Sequence, residues 1–296
     1  MKALDPGWRA RFDHARWFLE PCEEVGSLFG LECLEVLLDE HTPWQHLQVL
    51  ETRHFGRAMV LDGFLMLTQR DNFIYHEMLV HPALCSHRQP RRVLIVGGGD
   101  CGCLREVLRH DTVERVVQVE LDERVTRAAE RFFPELCEAN DDPRAEFVFA
   151  DGIACVADAA AGTFDVIIVD STDPIGQAAR LFDRTFYRQC HRVLGDAGLL
   201  AVQSESPMIH LEVLAGIRGE LAAAGFPSLA TLQFPQPTYP SGWWSVTLAG
   251  GDVLEAEPRP AAGQLDTRFY SGEVHTASRV LPSFVGKALG YSAGSD

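Results

Sequence analysis

Four short apolar runs in this chain each end on a carboxylate, and that arrangement leaves few architectures open. RRVLIVGGGD closes on Asp100, ERVVQVELD carries Glu120, AEFVFADG reaches Asp151 and FDVIIVDSTDP reaches Asp170. Between them lie segments of helical period, such as CLREVLRH, with Leu104, Val107 and Leu108 on one face, and ERVTRAAERFFPEL. Strands alternating with helices specify a parallel, doubly wound α/β sheet. Ligands of such sheets bind in the crevice beyond the carboxyl ends of the strands. The four acids are therefore expected on the rim of one cleft. An acidic rim disfavours phosphate-rich ligands. It suits a cationic substrate beside a nucleoside, whose ribose and adenine need hydrogen-bond acceptors.

The chain before this alternation has another texture. LECLEVLLDEH, WQHLQVLETRHFG and RAMVLDGFLMLTQRD read as strands broken by turns, with Asp62-Gly63 as a hairpin signal. They predict a small antiparallel sheet, and we place the boundary so that residues 1–74 form a β-domain and residues 75–296 the α/β domain. FIYHEMLVHPALCS opens the second part as a helix. RTFYRQCHRVL and HLEVLAGIRGELAAAG continue the helices, the latter closed by Gly225, and GLLAVQS and WWSVTLAG the strands. GGDVLEAEPRPAAGQ is expected as a surface loop and SAGSD as a mobile end.

A net charge of -16 repels nucleic acid and anionic membrane surfaces, so neither is expected as a partner. The acidity permits a cationic ligand, although many soluble proteins are simply acidic. The 8 cysteines contain no CxxC pair, and one glycine between Cys101 and Cys103 is poor zinc-ligand spacing. Reduced thiols and a cytoplasmic location follow. The N-terminus has charges throughout rather than a signal-peptide core, and no 18-residue apolar stretch is present. His76-Glu77-Met78-Leu79-Val80-His81 misses the HExxH metal motif by one position, and Ser204-Glu205-Ser206 lacks the GxSxG elbow of a hydrolase. No bound metal is expected.

The chemistry concentrates in four places. In VLIVGGGDCGC a strand runs into Gly97, Gly98 and Gly99, where backbone can approach a ligand, and Glu120 stands about 20 residues on, the place of a ribose-binding acid. Asp100 occupies the position a pyrophosphate would need, which favours a sulfonium nucleoside related to S-adenosylmethionine over NAD or ATP. Asp151-Gly152 serves either as an acceptor for an adenine amino group or as a helix N-cap. Asp170 and Asp173, three residues apart in DSTDPIG, could hold an ammonium group and take its proton, though Asp173 before Pro174 also suits a turn. Pro237-Thr238-Tyr239-Pro240-Ser241-Gly242-Trp243-Trp244 could wall a pocket with aromatic rings or form a buried corner.

Together VLIVGGGDCGCLREVLRH, VVQVELDERV, ADG, FDVIIVDSTDPIG, QSESP, PTYPSGWWS, VLDGFLMLTQRDNFIYHEM and YSGEVHTASRVLPSFVGKAL resemble the polyamine aminopropyltransferases, typified by spermidine synthase. The likeness runs from about residue 45 almost to the end. It implies a small N-terminal β-domain joined to a Rossmann-like, class I methyltransferase-like sheet, assembled as a homodimer or homotetramer. It implies transfer of an aminopropyl group from decarboxylated S-adenosylmethionine, a co-substrate, to an amine such as putrescine, with methylthioadenosine leaving and no permanent cofactor or metal. By motif, Asp170 resembles the general base. Tyr75, Asp100, Asp173 and Tyr239 would surround the amine. Gln45, Gly97, Gly98, Gly99, Glu120, Asp151, Gly152 and Gln177 would hold the donor, and His76 would touch both ligands. The sequence departs from the pattern at Met66, where glutamine is usual, at Cys101, where glycine is usual, and at Gln177, where proline is usual. Like charges at Asp100 and Asp173 are expected to lift the pKa of Asp170. The residues alone also admit an S-adenosylmethionine-dependent amine N-methyltransferase, or a polyamine or nucleoside sensor without catalysis.

Overall fold

The computed structural model describes residues 16–23, 25–173, 178–251 and 265–291. The surface loop and the C-terminal end expected from the sequence lie largely or wholly outside the described residues, as does Gln177.

The first sheet is an antiparallel meander of five strands: β1 (Trp17–Cys22), β2 (Ser27–His41), β3 (His46–Thr52), β4 (Gly56–Leu61) and β5 (Phe64–Thr68). Asp62 and Gly63 join β4 to β5 with φ of 51° and 87°, the two positive values that a two-residue hairpin of matching twist requires. Its two faces bury different residues. Leu47, Val49, Met59, Leu61 and Leu67 pack on a helix of the second unit, while Leu31, Leu50, Ala58, Val60 and Leu65 form a separate cluster. β1 was not anticipated. It is an edge strand carrying Glu20 and Pro21, and an edge tolerates the proline that a central strand would not.

The second sheet has seven strands in the order β11-β12-β10-β9-β6-β7-β8. These are β6 (Arg92–Gly97), β7 (Arg115–Glu120), β8 (Ala145–Phe149), β9 (Val166–Asp170), β10 (Leu199–Gln203), β11 (Ser228–Pro235) and β12 (Trp243–Gly250). Five pair in parallel, as the alternation predicts, and β12 alone is reversed, antiparallel to both β10 and β11. The departure is local. β11, unforeseen in the sequence, and β12 are joined by a short loop, and only antiparallel strands accept a connection that short.

Helices α1 (Asn72–Ser86), α2 (Gly102–Leu108), α3 (Glu123–Phe132), α4 (Gly152–Asp158), α5 (Arg184–Leu194), α6 (Leu211–Ala224), α7 (Gly272–Ser278) and α8 (Ser283–Ala288) complete the described elements. Successive side chains of a strand point to opposite faces. Val93 and Ile95 accordingly join the core beneath α1 and α2, and Leu94 and Val96 the core beneath α5 and α6. None of the described helices is long and apolar enough to cross a membrane.

Almost every residue of α1 is buried, including its charged ones. The Glu77 carboxylate accepts the backbone N–H groups of Arg268, Phe269 and Tyr270 at 2.8–2.9 Å, which fastens the C-terminal segment to the helix. His81 sits between Glu106 and His110, at 3.1 and 3.0 Å. Arg105 and Arg109 also reach Glu106, at 2.8 and 3.1 Å. Burial pushes the Glu106 carboxyl up, but His81 and the two guanidinium groups outweigh it and hold it at about 2. The two histidines of the failed HExxH reading thus serve different places, His81 in this network and His76 elsewhere. Removing one partner of a buried ionic cluster strands the others. Glu106→Ala should therefore cost roughly 3–5 kcal/mol in denaturant unfolding at pH 7. Because the native carboxyl titrates below its unfolded value of 4.5, its contribution should be complete above that pH and fade as pH falls toward about 2.

Candidate active site

The cleft forms where β6, β7 and β9 end side by side. Gly97, the last residue of β6, pairs with Asp170, the last of β9, and the Gly98 N–H donates to the Asp170 carbonyl at 2.8 Å. The glycines are required by this crowding. A Cβ on Gly97, whose φ is 85°, would lie 2.0 Å from the Asp170 carbonyl oxygen, and one on Gly99 would lie 2.8 Å from Glu120 Oε2. A Cβ on Gly102 would lie 2.2 Å from the His76 ring. The turn therefore packs against two carboxylates and an imidazole of its own chain. Gly152 is similarly closed by Val96.

Asp100, Asp170 and His76 converge, with one donor atom from each inside 4.8 Å of the others. Tyr75 donates its hydroxyl to Asp170 Oδ1 at 2.8 Å, while Oδ2 is buried with no hydrogen-bond partner among the described residues. Asp100 accepts the Gly102 N–H at 2.6 Å and lies 3.3 Å from His76 Nε2. Burial raises the Asp170 carboxyl, and the charge of Asp100 raises it further. Asp100 behaves oppositely. Burial would raise it, but His76, the Gly102 N–H and Arg105 bring it below the usual carboxylate range. Burial draws the His76 imidazole down, and the Asp100 carboxylate more than reverses this. Two neighbouring acids are thus pushed apart, one toward a permanent charge and one toward holding a proton. Cys103 also faces Asp170, and burial and that charge hold its thiol well above the ordinary range.

Beyond Asp170 a pocket is lined by Glu20, Met66, Tyr75, Asp173, Gln203 and Trp244, with Tyr239 on its wall. The Tyr239 ring lies 5.7 Å from Tyr75 and 4.9 Å from Trp244, and its hydroxyl donates to the Met66 carbonyl. Trp243, the third ring of that loop, turns away onto Phe284. The charge that chiefly raises Asp170 is that of Asp100 rather than Asp173. Burial raises Asp173 well above normal, and the charges it meets are those of Glu205, His210 and Glu20. Glu205 accepts from His210 Nδ1 at 2.8 Å, which lifts the imidazole to about 9. Burial lifts Glu20 to about 7, against the pull of the Leu65 N–H.

On the other side, Glu120 Oε1 accepts the Asp122 N–H at 2.8 Å, and burial lifts this carboxyl to about 7. Gln45 arrives from the β2–β3 hairpin and donates to Asp122 Oδ2 at 3.0 Å, beside Thr42 at 2.7 Å. Asp151 is exposed and caps α4, its Oδ1 accepting the Ile153 N–H at 2.8 Å, so the capping alternative holds for one of its two oxygens.

The fold thus brings Tyr75, His76, Asp100, Asp170 and Tyr239 into one cleft with Glu120, and sets Asp173 farther along the pocket. Sequence reading overlooked Glu20, Asp122, Gln203, Glu205 and His210. Glu205 carries a signal of its own, lying just past the end of β10 as the other acids lie past their strands, with a φ of 66° that is uncommon outside glycine. Glu20 has none, since it belongs to the other sheet.

The chain resembles proteins of known family along most of its length. A family model for the spermine/spermidine synthase domain matches residues 72–257, and one for the spermidine synthase tetramerisation domain matches residues 16–69. A polyamine aminopropyltransferase of Nitrosococcus oceani is 54% identical over 276 residues, covering 93% of this chain and 97% of that one. A polyamine aminopropyltransferase of Methylococcus capsulatus is 51% identical over 279 residues, covering 94% and 98%. A crystal structure of spermidine synthase with the transition-state analogue AdoDATO superposes with a TM-score of 0.88 at 36% identity, over 93% of this chain and 95% of that one. Spermidine synthase from Thermotoga maritima gives 0.87 at 36% identity, over 93% and 94%. The chain belongs to the spermine/spermidine synthase family.

Proposed function

We propose that this enzyme moves the aminopropyl group of decarboxylated S-adenosylmethionine to an amine such as putrescine, giving spermidine or a related polyamine and methylthioadenosine. The relatives' activity and the cleft's chemistry agree on it. The observation that carries the mechanism is Asp170, a buried carboxylate raised by burial and by Asp100, oriented through Oδ1 by Tyr75 and with Oδ2 unpaired among the described residues.

An amine nitrogen attacks the carbon next to a sulfonium, and a neutral thioether leaves. The step needs neither a metal nor a covalent enzyme intermediate. The amine arrives protonated, and freeing it at pH 7 costs roughly 4–5 kcal/mol for a lysine-like pKa of about 10.4. Asp170 Oδ2 takes that proton as the new C–N bond forms, when the nitrogen becomes far more acidic. A raised pKa makes it a better acceptor than an ordinary aspartate. Asp100 and His76 keep a fixed charge pair beside it. Tyr75 and Tyr239 confine the amine, and Asp173 draws the far end of the acceptor along the pocket. Glu120 accepts the ribose hydroxyls, Gln45 closes over the donor from the hairpin, and Asp151, with Gly152, faces the base. Gly97, Gly98 and Gly99 let the donor's backbone contacts form. Holding the amine in line with the sulfonium contributes at least as much as the proton transfer.

We place the reaction in the cytoplasm, in residues 75–296, and assembly into a homodimer or homotetramer in the N-terminal sheet. Leu28, Leu34 and Val36 on β2 are more than half exposed, a patch of the kind that marks a protein interface.

Asp170→Asn should lower kcat by at least about 100-fold with donor affinity unchanged. Single-turnover kinetics with near-normal rates would remove Asp170 as base. Donor affinity should rise with pH through about 7, because ribose hydroxyls donate to the ionised Glu120 carboxylate and the native group binds a proton below that point. The limit is about tenfold per pH unit. Calorimetry on Glu120→Gln should show a flat, weaker profile, and a wild-type-like profile there would exclude the ribose contact. In light scattering, Val36→Glu should shift the assembly to a smaller species.

A further inference from the structure

We propose that the chain carries a second ligand site, for a divalent transition-metal ion such as zinc, on the outer face of the N-terminal sheet. Its ligands are Asp39, His41 and His46. This site is separate from the cleft, and the transfer chemistry does not require it.

His41 and His46 are directly opposite each other where β2 turns into β3, and their rings stack at 4.0 Å with 9° between the planes. Asp39 lies two residues before His41, on the same face of the strand. Its Oδ1 is 2.8 Å from His46 Nε2, and its Oδ2 accepts Gln48 Nε2 at 2.8 Å. One nitrogen from each histidine and one Asp39 oxygen lie within 4.8 Å of one another. Two imidazoles and a carboxylate form the donor set of a borderline divalent cation, whereas magnesium and calcium prefer oxygen alone. A metal ion lies in the plane of each imidazole it binds, so the two rings turn out of their stack to make zinc–nitrogen bonds of about 2.0–2.1 Å beside the Asp39 oxygen, leaving the fourth position to water. Gln48 holds the ligating carboxylate in place, as residues behind a metal ligand commonly do.

The position gives the site a consequence. The loop between His41 and His46 is the arm that reaches the cleft, with Thr42 and Gln45 on Asp122, whose N–H binds Glu120. An ion at the root of this arm fixes the orientation of Gln45. That consequence rests on the donor reading given above, but the metal site does not.

The test uses the full-length protein, stripped with a chelator and titrated with zinc against a chromogenic competitor. Wild type should bind one more zinc ion per chain than the His41→Ala/His46→Ala double variant, and His41→Ala alone should weaken that ion by at least about tenfold. Excess magnesium should not displace it. Equal zinc uptake by wild type and the double variant would overturn the proposal, assigning the metal instead to His76, Asp100 and Asp170 or to thiols. A second titration, with methylthioadenosine, should show tighter binding in zinc-loaded wild type and no zinc effect in the double variant. A filled site without that difference would overturn the link to the arm. The zinc titration contains no nucleoside, so its outcome is independent of the donor assignment.

Discussion

The cleft depends on the contact between the glycine turn after β6 and the end of β9. Gly97 lies against the backbone of Asp170 and Gly99 against Glu120 at distances that leave no room for a Cβ, and Gly98 packs tightly on the Asp170 side chain. Crowding several acids at the ends of parallel strands is unfavourable, because each loses water and repels the next. The chain offsets the cost unevenly. His76, the Gly102 N–H and Arg105 stabilise the charge of Asp100, while Asp170 receives only the Tyr75 hydroxyl, the Cys103 thiol and the partial opposition of His76. The outcome is one acid held ionised beside another whose proton affinity is raised, an arrangement that suits proton transfer at neutral pH.

The same logic runs outward in both directions. At the end of β7, Glu120 is lifted by burial to about 7, with backbone N–H groups giving partial relief. Along the pocket, Glu20, Asp173 and Glu205 cluster around a single imidazole, His210. Such a lining is costly while empty and favourable once cations enter. A sulfonium and an ammonium are therefore bound partly by relieving strain that the protein already carries. The N-terminal sheet takes part in this, supplying Glu20, Met66 and the hairpin arm with Gln45.

Much of this was legible from sequence because it is local. Apolar runs ending in acids fix both the strands and the edge at which those acids emerge, so Asp100, Glu120 and Asp170 could be placed together without coordinates. The Asp62-Gly63 turn and the Gly225 stop depend on backbone conformations that few other residues adopt, and both stand as read. What escaped was pairing across long separations. β11 has no helix before β12 to mark it, and β1 shows an edge strand's mixed composition. Asp173 was paired in sequence with Asp170, yet its neighbours come from β1 and the segment after β10.

The alternation of strands and helices from β6 onward and the strand-end position of the acids were settled by sequence alone, since each follows from period and spacing within a few residues. Tertiary structure alone decided which acid has its proton affinity raised, that Glu20 joins the pocket and Glu205 meets Asp173, and that His41 meets His46 and Asp39 across a hairpin. Those outcomes depend on burial and on contacts between residues far apart in the chain, and no local pattern of side chains encodes the desolvation that separates one carboxylate from its neighbour.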